Sequence, residues 1–265
     1  MKKILTISSA LFAAYLTAEN TLMLNVRREN AGTGVRIAHI SDLHKRRFGR
    51  DNSRISGIVR AEEPDIIFIT GDIVSRDQTD ISDAVQLVKT LCSIAPVYMI
   101  SGNHEQSLLP DIRERFSIEI SRTDAVWLRN ERADITVKGR DISIYGLMED
   151  YSTYKKNGGY RDLDKITADD IRSLIGTPDG KVNILLAHNP LFGEAYAEWG
   201  ADFAFSGHVH GGAVRLFGKG ILSPERRFFP KYSKGIYRIG GMKLCISAGI
   251  GKLRMFNAPE IVMYE

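Results

Sequence analysis

The chain has 265 residues, 43% of them hydrophobic and 26% charged, which excludes intrinsic disorder, collagen-like sequence and a polytopic membrane protein. Lys and Arg total 36 against 32 Asp and Glu, so the net charge of +4 is too small by itself to argue for a nucleic-acid partner, and none is expected. Two cysteines, Cys92 and Cys245, exclude a disulfide framework and read as buried thiols. The N-terminus is read first. Met1-Lys2-Lys3 precedes an apolar run from Ile4 to Ala18, 15 residues long, which resembles the start of an export signal or signal anchor. Leu16-Thr17-Ala18 is a poor cleavage site. The expectation is therefore an uncleaved anchor over residues 1–25, holding the protein at the extracytoplasmic face of a cell membrane, or a secreted protein if cleavage occurs. A buried N-terminal helix of a cytosolic protein is the alternative. Residues 26–265 are expected to form one domain.

Thr21 to Val26 reads as a strand. Val35 to Ile40 is a short apolar strand ending at Ser41-Asp42. Arg50 to Glu62 carries Ile55, Ile58 and Val59 at helical spacing, and Pro64 punctuates before a buried strand, 65–70, that ends at Gly71-Asp72. Ile81, Ala84, Val85 and Val88 mark the next helix, and Pro96 to Ile100 is a third strand ending at Ser101-Gly102-Asn103-His104. This β-α-β-α-β order predicts a parallel sheet with right-handed crossovers. After Asp124, short strands at 125–128, 134–137 and 142–147 suggest antiparallel pairing. Strands at 182–187, 201–205, 235–239, 243–247 and 260–264 complete the chain.

Five buried strands each end in residues able to bind a metal: Asp42 with His44, Asp72, Asn103 with His104, His188, and His208 with His210. Strand carboxyl ends in an open α/β sheet share one edge, so these residues are expected to converge. Eight candidate ligands are too many for one ion and fit two ions sharing a carboxylate. Imidazole and carboxylate donors suit Mn, Fe or Zn. His39, inside a strand, reads as structural. Lys45-Arg46-Arg47 follows His44; Arg46 and Arg47 are candidates to hold a substrate phosphate or an anionic surface polymer, with a solvated basic loop as the alternative. Arg226 to Lys234 combines cations with Phe228, Phe229 and Tyr232 and reads as a membrane-interface or cleft-lining stretch, or a plain loop. The polar loop from Asp150 to Tyr160 lies where a specificity loop is expected.

Asp42-Leu43-His44, Gly71-Asp72, Gly102-Asn103-His104-Glu105, His188 and Gly207-His208-Val209-His210 together resemble the five ordered blocks of calcineurin-like metallophosphoesterases, over about Val35 to the C-terminus. The flanking sequence resembles a bacterial branch with an N-terminal membrane segment. The resemblance implies a four-layer α-β-β-α sandwich of the α/β class, with two mixed sheets flanked by helices. It implies that Asp42, His44 and His210 hold one divalent metal, that Asn103, His188 and His208 hold a second, and that Asp72 bridges them. His104 would be catalytic, protonating the leaving oxygen or stabilising the charged phosphoryl group, with Glu105 orienting it or buffering its pKa. The implied reaction is hydrolysis of a phosphodiester, phosphomonoester or pyrophosphate by a metal-bridging hydroxide. The substrate would be a phosphorylated small molecule or a lipid-linked or cell-wall compound. A non-catalytic metal-dependent binding module and a cytosolic nuclease are the alternatives. Two departures stand out: Ala213 replaces an expected polar residue, and the turn Ser247–Gly251 lacks an expected arginine.

Overall fold

The computed structural model describes residues 2–160, 162–223, 228–251 and 254–265, with side chains from residue 8 onward. In chain order the elements are α1 (Lys2–Thr21), β1 (Asn25–Glu29), β2 (Ile37–Ile40), α2 (Ser53–Ala61), β3 (Ile66–Thr70), α3 (Ser82–Cys92), β4 (Val97–Ile100), α4 (Asn103–Gln106), α5 (Pro110–Ser121) and β5 (Val126–Trp127). Then come β6 (Glu131–Val137), β7 (Arg140–Leu147), α6 (Ala168–Ile175), β8 (Val182–Ala187), α7 (Gly193–Trp199) and β9 (Phe203–Ser206). The last are the short pair β10 (Arg215–Leu216) and β11 (Lys219–Gly220), then β12 (Gly235–Ile239), β13 (Met242–Ile246) and β14 (Glu260–Tyr264).

Two six-stranded mixed sheets result, ordered β1-β14-β2-β3-β4-β5 and β12-β13-β9-β8-β7-β6. The β2, β3 and β4 strands are buried at every position, which is why they read as continuous apolar runs rather than alternating ones. One face of the first sheet packs on α2, α3 and α5 through Ile55, Leu87, Leu91 and Phe116. Its other face meets the second sheet through Phe68, Ile100, Ile184, Phe205 and Tyr264. The far face of the second sheet is covered by α6 and α7 through Ile171, Tyr196 and Trp199. The expected helix-sheet-sheet-helix sandwich is therefore present. The expectation of antiparallel pairing after Asp124 holds for β6 with β7, but β5 joins β4 in parallel and β7, β8 and β9 are parallel neighbours. Tight polar turns favour hairpins locally, but the helices between β7, β8 and β9 make crossovers available.

The N-terminus differs from expectation. Residues 2–21 form a helix, and β1 starts at Asn25, so Thr21 is helical rather than in a strand. Among the described residues, no helix is long and apolar enough to cross a membrane, which overturns the expected N-terminal anchor at the extracytoplasmic face of a membrane. Ser8, Ser9, Thr17, Glu19 and Asn20 dilute the apolar run, and Glu19 is fully buried against the domain. Cys92 and Cys245 are free thiols; the second is buried between the sheets, where burial pushes its pKa up to about 12.

Candidate metal centre

Three strands of the first sheet and two of the second deliver the clustered residues. Asp42 and His44 follow β2, Asp72 follows β3, and Asn103 and His104 follow β4; His188 follows β8, and His208 and His210 follow β9. Because the sheets pack face to face, the parallel strand ends of both open onto one place. Asp42, His44 and His210 bring ligand atoms within 4.8 Å of one another, and so do Asp72, His188 and His208. His44, Asp72 and His104 form a third such group joining the other two.

The backbone is distorted to achieve this. Asp42, His44, Asp72, His208 and His210 all have φ between 50° and 66°. Left-handed conformations cost a non-glycine residue about 1 kcal/mol or more and collect where function requires them. Gly102 and Gly207 are needed for a different reason. A Cβ on Gly102 would lie 2.3 Å from Asp72 Oδ1, and one on Gly207 would lie 1.9 Å from Ser41 Oγ and 2.4 Å from Asp42 Oδ2.

Hydrogen bonds aim the donors. His188 Nδ1 donates to the Thr70 carbonyl at 2.6 Å, tying the second sheet to the first and leaving Nε2 as the inward lone pair. That Nε2, together with Asn103 Oδ1, His44 Nδ1 and His210 Nδ1, is buried without a hydrogen-bond partner. Buried polar atoms are rarely left unpaired, so this convergence fits cations bound between them. Charge agrees. Burial lowers the pKa of His188, but Asp72, 3.3 Å away, and Asp42 outweigh it and push the imidazole up to about 10. Asp72 is held well below the usual carboxylate range by His188, His104 and His44 despite its burial. The set contains no thiolate, and its N and O donors suit first-row divalent ions.

His104 stands at the rim. The Arg76 backbone N–H donates to its Nδ1 at 3.1 Å. Burial, with His44 and Arg76 nearby, pushes His104 down to about 4 despite Asp72. The Arg76 guanidinium faces Nε2 at 3.0 Å, so Arg76 offers a donor to each ring nitrogen and brings a cation to the rim of the cluster. Arg76 belongs to none of the five sequence blocks. The signal available was an arginine four positions after Asp72, in the loop leaving the same strand.

Glu105 does not touch His104, contrary to its expected role. Its carboxylate accepts backbone N–H bonds from Asp72 and Gly102 at 2.8 Å on one oxygen, and from Ile73 at 2.8 Å and Val74 at 3.2 Å on the other. It shapes the loop that presents Asp72. Burial and the adjacent Asp72 carboxylate push Glu105 up, to about 7, against those four donors. Arg46 also differs from expectation. It is buried, and its guanidinium donates to the carbonyls of Glu19, Met23, Ile250 and Gly251, facing the protein rather than an incoming anion. Arg47 is exposed, pairs with Asp83, and lines a cleft of about 340 Å³ that includes His44, Lys45 and Asp77. His39 is structural as expected: its Nε2 lies 2.8 Å from Thr70 Oγ1, and its ring packs on Phe205 and Tyr264.

In the 150–160 loop, Tyr151 Oη lies 3.4 Å from Arg76, while buried Tyr154 packs on the His208 ring and donates to Glu149 at 2.8 Å. Glu149 follows the end of β7 much as Asp42 follows β2; an acid just past a buried strand was the signal that could have flagged it. The turn lacking its own arginine is gripped by Arg254, which donates to the carbonyls of Ala248 and Gly251. Of the basic aromatic stretch, Arg226 and Arg227 lie outside the described residues. Phe228 and Phe229 are exposed, Tyr232 is buried, and Lys234 pairs with Glu260.

Residues 35–212, carrying all five blocks, match the calcineurin-like phosphoesterases. The chain belongs to that family. It is a metal-dependent phosphoester hydrolase. An uncharacterized metallophosphoesterase of Aquifex aeolicus is 26% identical over 245 residues, covering 88% of this chain and 85% of the relative. The UDP-2,3-diacylglucosamine pyrophosphatase LpxG of Chlamydia muridarum is 24% identical over 273 residues, covering 86% and 82%. Among solved structures, the sulfate thiohydrolase SoxB of Thermus thermophilus aligns with a TM-score of 0.50 at 13% identity. That alignment covers 85% of this chain and 54% of SoxB, so this chain spans about half of that protein's length, and the likeness is one of fold.

Proposed function

We propose that this hydrolase cleaves phosphate-ester or pyrophosphate bonds with two divalent cations. Asp42, His44 and His210 would hold one, Asn103, His188 and His208 the other, with Asp72 common to both. The carrying observation is the pair of ligand clusters with unpartnered buried donors facing inward. When bound, such cations supply Lewis acidity and acidify water near neutral pH. The chain's own residues do the rest. His188 is held in one tautomer by Thr70, Asp72 by the loop that Glu105 organises, and Asp42 by the His208 N–H at 3.2 Å. His104, beside Arg76 at the rim, hydrogen-bonds the phosphoryl or leaving oxygen and stabilises the charge that develops there. Arg76 neutralises phosphoryl charge beside it. Arg47 and Lys45, along the cleft beside His44, meet the remainder of an anionic substrate. A phosphorylated small molecule or a lipid-linked compound fits this reading, and the name of the Chlamydia relative supports including lipid-linked pyrophosphates.

The test is hydrolysis of mono- and bis-p-nitrophenyl phosphate by the full chain with Mn²⁺, before and after chelation. Chelation and Asp72→Asn should each abolish turnover; full activity in Asp72→Asn would refute the shared carboxylate.

A further inference from the structure

The last turn of α1 is built into the support of the first ligand cluster. The fully buried Glu19 carboxylate accepts the backbone N–H of Phe256 at 2.9 Å on one oxygen and that of Asn257 at 2.6 Å on the other. Asn20 makes a reciprocal pair with the Arg254 backbone, accepting its N–H at 2.9 Å and donating to its carbonyl at 2.8 Å. Residues 254–257 in turn hold the loop that carries His210. Asn257 Nδ2 donates to the His210 carbonyl at 2.6 Å and the Gly212 carbonyl at 3.0 Å, and the Arg254 guanidinium reaches the His210 carbonyl at 3.4 Å. His210 sits at φ 50°, a conformation that persists only where its surroundings impose it.

We infer that Glu19 is a positioning residue for the first metal: through Asn257 it fixes the His210 carbonyl, and so the strained backbone that turns the His210 ring toward Asp42 and His44. The inference rests on the two-metal reading above. A carboxylate suits the task because two adjacent N–H groups reach two separate oxygens. An amide there would set its own NH₂ against one of them. The last turn of α1 then belongs to the catalytic unit. A chain cut after Ala18 would retain Glu19 on a frayed end, and one cut after Asn20 would lose the acceptor altogether.

Calorimetric titration of the full, metal-free chain with Mn²⁺ tests this. Two binding steps in the wild type support the two-metal reading by itself. Glu19→Gln should weaken one step about tenfold or more and leave the other within about twofold, as expected when a group supporting a ligand is removed. Asn257→Ala should weaken the same step. Leu91→Ala, on the buried face of α3 and outside both ligand clusters, should lower the melting temperature without changing either step. Unchanged affinities in Glu19→Gln, or equal losses in both steps that track melting temperature as Leu91→Ala does, would overturn the inference. If Glu19→Gln does not fold, Asn257→Ala decides the matter by the same criteria. A wild type with a single Mn²⁺ step refutes the two-metal reading instead; the positioning role then stands or falls on whether that step weakens in the variants.

Discussion

Replacing Glu105 with Ala separates the role the structure gives it from the role expected of a partner to His104. The substitution strands four backbone N–H groups, those of Asp72, Ile73, Val74 and Gly102, at a buried position. A buried donor without an acceptor costs about 1–3 kcal/mol, so four at the low end cost about 4 kcal/mol. Two effects offset part of this. Water can enter the space left by the side chain, and removing a carboxylate relieves its burial and its repulsion with Asp72. A net loss of about 3 kcal/mol is expected, a large fraction of the 5–15 kcal/mol typical of a folded domain. Urea unfolding in chelator, followed by far-ultraviolet circular dichroism, measures it without a contribution from bound metal. Glu105→Gln should lose less, because one oxygen still accepts. A loss under about 1 kcal/mol in Glu105→Ala would refute the loop-shaping role. If stability is unchanged while the pH–rate profile of the metal-loaded enzyme moves, Glu105 acts on His104 after all.

Arg76→Ala should lower kcat/KM about 100-fold and relieve inhibition by inorganic phosphate, with stability little changed; unchanged phosphate inhibition would remove Arg76 from substrate binding. Gly207→Ala forces a Cβ against Ser41 and Asp42, so it should reduce Mn²⁺ uptake in calorimetry as well as activity, and full Mn²⁺ affinity would show that the loop can move aside. His39 gives a pH dependence that does not involve the metals. Burial, assisted by Arg27, holds its pKa at about 3, below the ordinary 6.5, so the unfolded chain binds the proton more tightly. Its contribution is fully present above pH 6.5 and declines as pH falls toward 3, by about 1.4 kcal/mol per pH unit. In His39→Gln the slope of unfolding free energy against pH between about 6 and 4 should be shallower by that amount; an unchanged slope would show that His39 does not titrate as a buried neutral ring.

Much of the fold was legible because strands buried on both faces have to be continuously apolar. β3, β4 and β8 could be found from composition and punctuation alone, and β14 likewise. Pairing direction was not legible in the second half. Whether β7, β8 and β9 run parallel depends on crossovers through α6 and α7, which local turn chemistry does not encode. The N-terminal run misled for a related reason. Lysines followed by apolar residues satisfy an export-signal pattern, whereas what Glu19 does depends on the N–H groups of Phe256 and Asn257, over 230 residues away in sequence.

The chain's own order of residues determined the chemistry of the site: carboxylates, imidazoles and one amide just past the ends of buried strands. A strand end is a local feature, and a polar residue there needs no distant partner to be noticed. Only the tertiary structure decided which of those residues share a cluster, that both sheets contribute, that Glu105 and Arg46 serve the backbone, and that Arg76 faces His104. Each of these depends on where a side chain points after two sheets have packed. A long arginine or glutamate reaches a phosphate or a carbonyl according to that packing, not according to its neighbours in sequence.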